Sequence, residues 1–448
     1  MRRLVAVSLL ATLPLVGFFG CSAAGGTATD GGQGGAAGTG GAAAGGAAAG
    51  GKGGAFSGVG GSGGASTATV HLKGKVVAPE GTIPISGALV YLTNSMPPPI
   101  PDGVFCDECV HLSGAFTTTN PDGTFDLSAN GPGDTLLVVQ KGAFRRVRPI
   151  TLVSGDQDVP LDLTTMPSKM DKANGDDIPK IAIVLGAWDP IEIVLARMGL
   201  AATVTKDGFG KAQVLSKDAS SFAIYGLHWP GETSPYPAAI TLLTQPSEIE
   251  KYHIVFVPCS GSSGSGDTGP KCDGTFAYDK SVFSTLDGFV KKGGRMYVSD
   301  WSYEYVRQVF PGFVTWKGED TTIGSACMAG GGEQPAKVDD KGLSDWLTAQ
   351  GQTLSSVKDA WTDLDGVHPK MDADAKGAPV TSTPKVWVEA SSAPATTSFQ
   401  HGCGRVLYTT YHTQPTSETN SKLEPQALAL LYLILEVGVC IDPPGVPG

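Results

Sequence analysis

Two patterns of apolar and polar residues divide the chain beyond residue 66. In residues 67–167 the apolar positions form short segments, and residues 70–77 alternate apolar with polar side chains, as in a strand with one buried face. Residues 86–93 and 134–140, rich in Val and Leu, predict further strands, and Asn-Pro-Asp-Gly at 120–123 predicts a turn. Short strands joined by turns predict a small all-β sandwich over residues 67–167.

Residues 176–442 alternate strands with helices instead. Residues 181–185 are apolar throughout, as expected of a strand that is covered on both faces. In chain order we expect strands at 181–185, 254–257, 295–298, 386–389, 397–400 and 405–409, and helices at 190–198, 282–292, 303–309 and 425–437. This alternation predicts an α/β domain with a mostly parallel, flavodoxin-like sheet over residues 176–442. The apolar run of the last helix is too short to cross a membrane, so we expect it to dock on the domain.

The N-terminus predicts export followed by a tether. Residues 1–20 have a basic start and a short apolar core, which is typical of a secretory signal peptide. Residues 22–66 consist almost entirely of Gly and Ala and cannot bury enough apolar surface to fold, so we expect a flexible linker.

Composition and charge indicate which kinds of partner the chain is expected to bind. The chain has 448 residues, which is room for two or three domains, and 62 of them are Gly, concentrated in the linker. The formal net charge is -11, from 32 basic and 43 acidic side chains. Nucleic-acid binding needs clustered Lys and Arg against the phosphates, so we expect no nucleic-acid partner.

The end of the apolar core resembles the lipobox of bacterial lipoproteins. The residues are Phe18, Phe19, Gly20 and Cys21, with a small residue directly before the cysteine. The resemblance implies acylation of Cys21 and attachment through residues 21–66 to a membrane, at the outer membrane or cell surface. The alternative is cleavage near residues 22–24 and release as a soluble secreted or periplasmic protein.

The sandwich region resembles the carboxypeptidase regulatory-like domain. Residues 74–76, 84–90 and 119–125 carry the resemblance. It implies a transthyretin-like β-sandwich that is typically non-catalytic, and it implies no peptidase activity.

The α/β region resembles the class I glutamine amidotransferase-like superfamily, especially its ThuA-like branch. Residues 252–258, 286–295 and 402–409 carry the resemblance. Amidotransferases need an activated Cys on a tight strand-to-helix turn, with a His base and an acid that orients it. The corresponding turn, residues 298–302, holds no Cys; His412 stands where the base is expected, and Gln414 replaces the acid. The resemblance therefore implies a catalytically degenerate domain, in which His412 is structural.

Four residues remain as candidates for catalysis. Asp300 and Ser302 lie on the turn, His412 follows a late strand, and Cys259 follows the strand at 254–257. Open α/β sheets bind ligands at the carboxyl ends of their strands, so Cys259 stands in a favourable place for a nucleophile. No segment matches a metal- or cofactor-binding motif, and we expect neither.

Six cysteines are candidates for disulfides in an exported protein. Cys259 and Cys272 flank a loop rich in Gly and Ser, which favours a bridge between them over a reactive Cys259. Cys106 and Cys109 favour a local bridge. Cys403 and Cys440 then tie a strand to the last helix and leave Cys327 free, although spacing alone does not determine the pairing.

These observations lead to two functional expectations. The first is a surface-anchored, non-catalytic lipoprotein that binds glycans, envelope components or other proteins. The alternative is a hydrolase or isomerase of small sugars, with a cleft near Asp300, Trp301 and His412. Tryptophans such as Trp316, Trp346 and Trp387 lie near predicted element ends. If the protein binds glycans, we expect their rings to stack on sugars; otherwise we expect them to fill the core.

Overall fold

The computed structural model describes residues 69–107, 112, 114–186, 188–201, 203–205, 214–215, 221–226, 236–259, 281–374, 376–413 and 423–435. These residues belong to one compact unit, Ala65–Gly448. The signal peptide at 1–20, Cys21, the whole tether at 22–66, and the cysteines at 109, 272 and 440 lie outside the described residues.

The described part of the chain is rich in strands. In chain order they are β1 (Thr69–Lys75), β2 (Leu89–Thr93), β3 (Phe116–Thr118), β4 (Thr124–Asn130), β5 (Gly133–Lys141), β6 (Phe144–Leu152), β7 (Gly155–Asp158), β8 (Asp176–Asp177), β9 (Ile181–Val184), β10 (Thr203–Thr205), β11 (Val214–Leu215), β12 (Ala223–Tyr225), β13 (Ile254–Val257), β14 (Arg295–Ser299), β15 (Val314–Trp316), β16 (Gly332–Val338), β17 (Ser356–Ala360), β18 (Leu364–Val367), β19 (Lys370–Ala373), β20 (Pro379–Ser382), β21 (Lys385–Ala390), β22 (Ala393–His401) and β23 (Gly404–Thr409).

The described residues contain fewer helices than strands, and most of the helices are short. They are α1 (Leu161–Thr164), α2 (Ile191–Leu195), α3 (Ala239–Thr244), α4 (Pro246–Ile249), α5 (Ser281–Lys291), α6 (Glu304–Val309), α7 (Lys341–Ala349) and α8 (Pro425–Leu435). Two 3-10 turns, Lys172–Asn174 and Asp300–Tyr303, and one π turn, Ala196–Leu200, complete them. None of the helices in the described part of the chain combines the length and apolarity needed to cross a membrane.

Two small sheets form the first part of the unit. One has the strand order β4-β1-β7, and the other, fully antiparallel, has the order β3-β2-β5-β6-β8. Val70 and Leu72 of β1 share one hydrophobic cluster with Val90 of β2 and Val139 of β5. The alternation in residues 70–77 thus marks a strand with one buried face, as predicted.

A nine-stranded mixed sheet forms the second part, in the order β12-β9-β13-β14-β23-β22-β21-β16-β17. The five strands from β12 to β23 are parallel, and the remaining neighbours pair antiparallel. The prediction of a mostly parallel sheet is wrong for the second half. Only two residues, Ser391 and Ser392, join β21 to β22, and only Gly402 and Cys403 join β22 to β23. Such short connections permit hairpins only, because a parallel pair needs a crossover of a dozen or more residues.

Charged pairs hold the segment between the two parts. Arg145 of β6 donates to Asp177 through Nε and Nη2, at 3.1 and 2.8 Å, and to the carbonyl of Pro98 at 2.8 Å. Arg146 binds both carboxylate oxygens of Asp176 at 3.0 Å. Two-pronged Arg–carboxylate contacts constrain orientation as well as distance, so these pairs hold β8 directly before β9 begins.

A tryptophan joins the two parts through the core. Trp346 of α7 is 1% exposed, and its Nε1 donates to the carbonyl of Pro84 at 2.7 Å. One hydrophobic cluster extends from Val70 in the first part to Leu431 in α8. Helix α8 is buried along most of its length, which confirms the prediction of a docking helix.

The disulfide pattern corrects the predictions from spacing. Cys106 bonds Cys403, with their Cα atoms 5.3 Å apart, which excludes the expected pairs 106–109 and 403–440. Cys259 is a free thiol, which excludes the pair with Cys272, and Cys327, expected to be free, is disulfide-bonded.

The segment before Cys106 explains the observed pair. Val104 donates its N–H to the carbonyl of Glu250 at 2.9 Å, and Arg295 of β14 binds Asp107. These contacts lay the segment against the large sheet beside the β22–β23 turn. The two cysteines are 297 residues apart, so no local spacing reveals this neighbour.

We expect replacement of Cys106 and Cys403 by Ser to lower the free energy of unfolding by about 2–4 kcal/mol, because the disulfide restricts the unfolded chain. Urea denaturation measures this loss. Either single replacement should cost about as much as the double replacement, since each removes the same bond. A non-reducing peptide map that pairs Cys106 with Cys109 would contradict the assignment.

Candidate functional site

Four neighbouring parallel strands end at one edge of the large sheet and bring polar side chains together. Asp189 follows β9, Cys259 follows β13, Asp300 follows β14 and His412 follows β23. The sheet order places β9, β13, β14 and β23 side by side. The carboxyl edge of such a sheet is where α/β proteins bind ligands.

Three of these side chains form a cluster, Cys259, Asp300 and His412. Asp300 Oδ2 lies 3.0 Å from His412 Nε2 and 3.7 Å from Cys259 Sγ. One ligand atom from each residue lies within 4.8 Å of the other two. Cys259 and Asp300 are 0% exposed and His412 is 5% exposed. The cluster is therefore compact and shielded from bulk water.

The backbone at Asp300 is strained. Its φ is 43°, in the left-handed region, at the point where β14 passes into the turn Asp300–Tyr303. Asp and Asn enter this region more readily than most residues, and strained positions persist where surrounding contacts hold them. Here Tyr408 donates to the carbonyl of Asp300 at 3.0 Å. The strain directs the carboxylate toward β13 and β23.

The second carboxylate oxygen of Asp300 is held by the segment after β17. Its Oδ1 accepts from the N–H of Trp361 at 3.3 Å, and from the N–H and the hydroxyl of Thr362, both at 2.9 Å. Since Oδ1 already has three donors, Oδ2 faces His412 and Cys259 in a single orientation.

A second carboxylate supports the neighbouring strands. Asp189 is fully buried; its Oδ2 accepts from the Ser299 hydroxyl at 2.6 Å, and its Oδ1 accepts from the N–H of Thr413 at 2.8 Å. Ser299 Oγ in turn accepts from the N–H of Cys259 at 3.0 Å. Thus one side chain from the end of β9 positions residues beside both Cys259 and His412.

Close packing at Gly186 and a bond from α8 complete the support. A Cβ at position 186 would lie 2.8 Å from the carbonyl oxygen of Cys259, so the end of β9 approaches this strand closely because residue 186 is Gly. Gln426 of α8 donates to the carbonyl of His412 at 2.7 Å.

Burial and mutual charge determine the protonation of the cluster. Burial raises the pKa of the Cys259 thiol to about 11, although His412 opposes the shift. Burial also raises the pKa of Asp300, while the hydrogen bonds from His412 and Thr362 oppose this. Burial alone lowers the pKa of His412, but Cys259 and Asp300 outweigh it, so the pKa of His412 lies well above its usual range. The Cys259 thiol is therefore neutral at pH 7, and the hydrogen bond between Asp300 and His412 favours the charged form of each.

Three of the four candidate catalytic residues therefore meet. The fourth, Ser302, is also buried, but its hydroxyl donates to the carbonyl of Pro258 at 2.7 Å and serves the backbone. Position 414, where an orienting acid was missing, lies outside the described residues; Asp300 supplies the carboxylate instead. Asp189 and Thr362 were not among the candidates, and no local motif marks them.

Three of the tryptophans belong to the core. Trp316, Trp346 and Trp387 are 1%, 1% and 2% exposed, so none of the three offers a face to a sugar ring. Trp301 is partly buried, and its ring lies 6.4 Å from the ring of Trp361.

Comparisons with known proteins find weak structural similarity only. No family profile and no curated protein matches the chain. It is similar to a cytoplasmic protein of Salmonella typhimurium (9% identity, 58% of this chain and 99% of that one, TM-score 0.31). It is similar to a β-galactosidase from Bacillus circulans sp. alkalophilus (12% identity, 59% of this chain and 32% of that one, TM-score 0.29). It is also similar to a ThuA-like protein from Parabacteroides merdae (12% identity, 59% of this chain and 93% of that one, TM-score 0.27).

We expect Cys259 to resist iodoacetamide at pH 8 in the native protein, because its side chain is buried and its pKa of about 11 leaves little thiolate. Mass spectrometry of the peptide that contains Cys259 measures the labelled fraction. The same peptide from protein unfolded in urea is the control and should be labelled fully. Equal labelling rates in native and unfolded protein would show that the thiol is accessible.

Proposed function

We propose that this chain is an exported hydrolase whose chemistry takes place at the cluster of Cys259, Asp300 and His412. The convergence of these three buried side chains at the carboxyl edge of the sheet is the observation that carries the proposal. A carboxylate, an imidazole and a thiol that exclude bulk water are costly to bury, and strongly perturbed groups of this kind occur most often at functional sites.

The order of the atoms favours water over the thiol as the nucleophile. In Cys–His–acid triads the imidazole lies between the nucleophile and the acid and uses a different nitrogen for each. Here Asp300 Oδ2 contacts both partners, and Nε2 of His412 faces the carboxylate. Cys259 and His412 also hydrogen-bond each other, so the three side chains form a closed ring of contacts and not a chain with the imidazole in the middle. The arrangement therefore supports hydrolysis by a water molecule activated at the cluster.

The same geometry favours catalysis over binding alone. A binding module has no need for a strained Asp300 or for a buried ion pair, each of which reduces stability. The burial of Trp316, Trp346 and Trp387 also removes three of the aromatic faces on which a glycan-binding function was expected to depend. Binding of a glycan or of an envelope protein stays as the second candidate.

The cellular setting is part of the proposal. The leader at 1–20 and the lipobox-like Cys21 support export and attachment to a membrane at the cell surface, with the Gly/Ala segment as spacer. Two small sheets that share a core support assignment of residues 67–167 to the carboxypeptidase regulatory-like class. The sequence resemblance of residues 252–258, 286–295 and 402–409 supports assignment of the large mixed sheet to the ThuA-like class. Small sugars or envelope glycans are the substrates that this setting favours.

The test is a screen of the purified full-length chain against chromogenic glycosides and esters. We expect activity that falls by about 100-fold or more in His412→Ala and Asp300→Asn, as is usual when an acid–base group is removed. Asn is nearly isosteric and tolerates the left-handed backbone, so Asp300→Asn tests the charge rather than the fold.

The control variant is His71→Ala, because His71 lies on β1, outside the cluster, where its side chain hydrogen-bonds Ser128. Its activity should equal that of the unaltered protein. Equal activity in all three variants would reject the cluster as the catalytic site. Binding on a glycan array with no hydrolysis of the bound glycans would favour the second candidate.

A further inference from the structure

We infer that Cys259, Asp300 and His412 are the three protein ligands of one divalent transition-metal ion, with zinc as the best chemical match. Such an ion would activate the water molecule that the proposed hydrolase uses as its nucleophile. In this respect the inference rests on the proposed function. The site itself is argued from distances, ligand types and supporting contacts.

The distances between the donor atoms fit one tetrahedral ion. Zinc lies about 2.3 Å from a thiolate sulfur and about 2.0–2.2 Å from imidazole nitrogen or carboxylate oxygen. Tetrahedral angles then separate sulfur from oxygen by about 3.6 Å and nitrogen from oxygen by about 3.4 Å. The observed separations from Asp300 Oδ2 are 3.7 Å to Cys259 Sγ and 3.0 Å to His412 Nε2. An adjustment of about 0.4 Å between Asp300 and His412 suffices.

The ligand types and the charge also fit. Thiolate, imidazole and carboxylate together suit zinc, whereas magnesium and calcium prefer oxygen ligands alone. Zinc takes the thiolate, the neutral imidazole and the carboxylate, so any proton that Cys259, His412 or Asp300 carries would leave to solvent as the ion binds. One thiolate and one carboxylate then balance the two positive charges, so the buried site is neutral.

Supporting contacts orient each ligand, as in established metal sites. Three donors saturate Oδ1 of Asp300 and leave Oδ2 for the ion. The N–H of Cys259 is fixed through Ser299, and the carbonyl of His412 is fixed by Gln426. This support exists in the polypeptide itself, so the ligands are held before any ion binds.

Asp189 does not complete the set. Its Oδ2 accepts from Ser299, and its Oδ1 accepts from both the N–H and the hydroxyl of Thr413. Both oxygens are thus engaged in supporting the ligand strands. Three protein ligands are typical of catalytic zinc sites, which leave the fourth position to water or substrate.

Cobalt(II) titration of the chelator-treated full-length chain tests the site directly. We expect one cobalt ion per chain, with the visible absorption of a tetrahedral ion and a near-ultraviolet sulfur-to-cobalt band. Cys259→Ser should lose the sulfur band, and His412→Ala should bind at least about 10-fold more weakly. His71→Ala, outside the cluster, should match the unaltered protein. Circular dichroism checks that each variant is folded.

Protection of the Cys259 thiol by zinc is a second test, which does not depend on the absorption spectrum of cobalt. Zinc should prevent labelling of Cys259 by iodoacetamide under mildly denaturing conditions that expose the thiol in its absence. If cobalt shows no sulfur band, or if Cys259→Ser and His412→Ala bind cobalt as tightly as the unaltered chain, the metal site is overturned.

The outcomes separate the two proposals. Hydrolysis that persists in chelator-treated protein but is lost in His412→Ala would overturn the metal site and leave the hydrolase. A sulfur-bound cobalt ion in a chain that hydrolyses none of the screened substrates would support the metal site and count against the hydrolase.

Discussion

The buried carboxylate of Asp300 is the contact on which the carboxyl edge of the sheet depends. It is fully buried, its Oδ2 hydrogen-bonds His412, and its backbone is left-handed. Such a group is stable only if its surroundings supply hydrogen bonds, because an unpaired buried charge costs several kcal/mol. The segment after β17 supplies them on one side and β23 on the other. The antiparallel half of the sheet is thereby joined to the parallel half at this residue.

The first part of the chain contributes to this edge indirectly. Its segment before Cys106 lies along the opposite, amino-terminal edge of the parallel strands, where the disulfide to Cys403 and the pair of Arg295 with Asp107 hold it. Trp346 and the arginines of β6 hold the remaining boundary. None of these contacts involves Cys259, Asp300 or His412, which are buried at the carboxyl edge.

The cluster combines two properties that oppose each other. Its burial makes the thiol a weak nucleophile, since its pKa is raised to about 11, whereas its convergence brings three donor atoms within 4.8 Å. A reactive thiol would need a nearby positive charge that lowers its pKa again. A metal ion provides such a charge and uses the convergence at the same time. The two proposals thus follow from one arrangement.

Local patterns were sufficient for most of the parallel strands and for the positions of Cys259, Asp300 and His412 at strand ends, but they predicted none of the elements from β15 to β20. The apolar run at 254–257 and the glycine pair after 292 each depend on neighbours within a few residues, and the structure confirms both the strand and the helix end. The two-residue loops at 391–392 and 402–403 permit only hairpins, but the prediction of a mostly parallel sheet depended on the alternation of strands with helices and not on loop length.

The contacts between distant residues were not readable in this way. Cys106 meets Cys403 across 297 residues, Arg145 meets Asp177, and Asp300 meets His412 across 112 residues. The sequence by itself determined most of the parallel strands and the helices that follow them, because hydrophobic period and turn chemistry act over a few residues. Only the tertiary structure decided which strands are neighbours, and with them the disulfide and the cluster, because strand order is determined by how the whole chain buries its apolar faces.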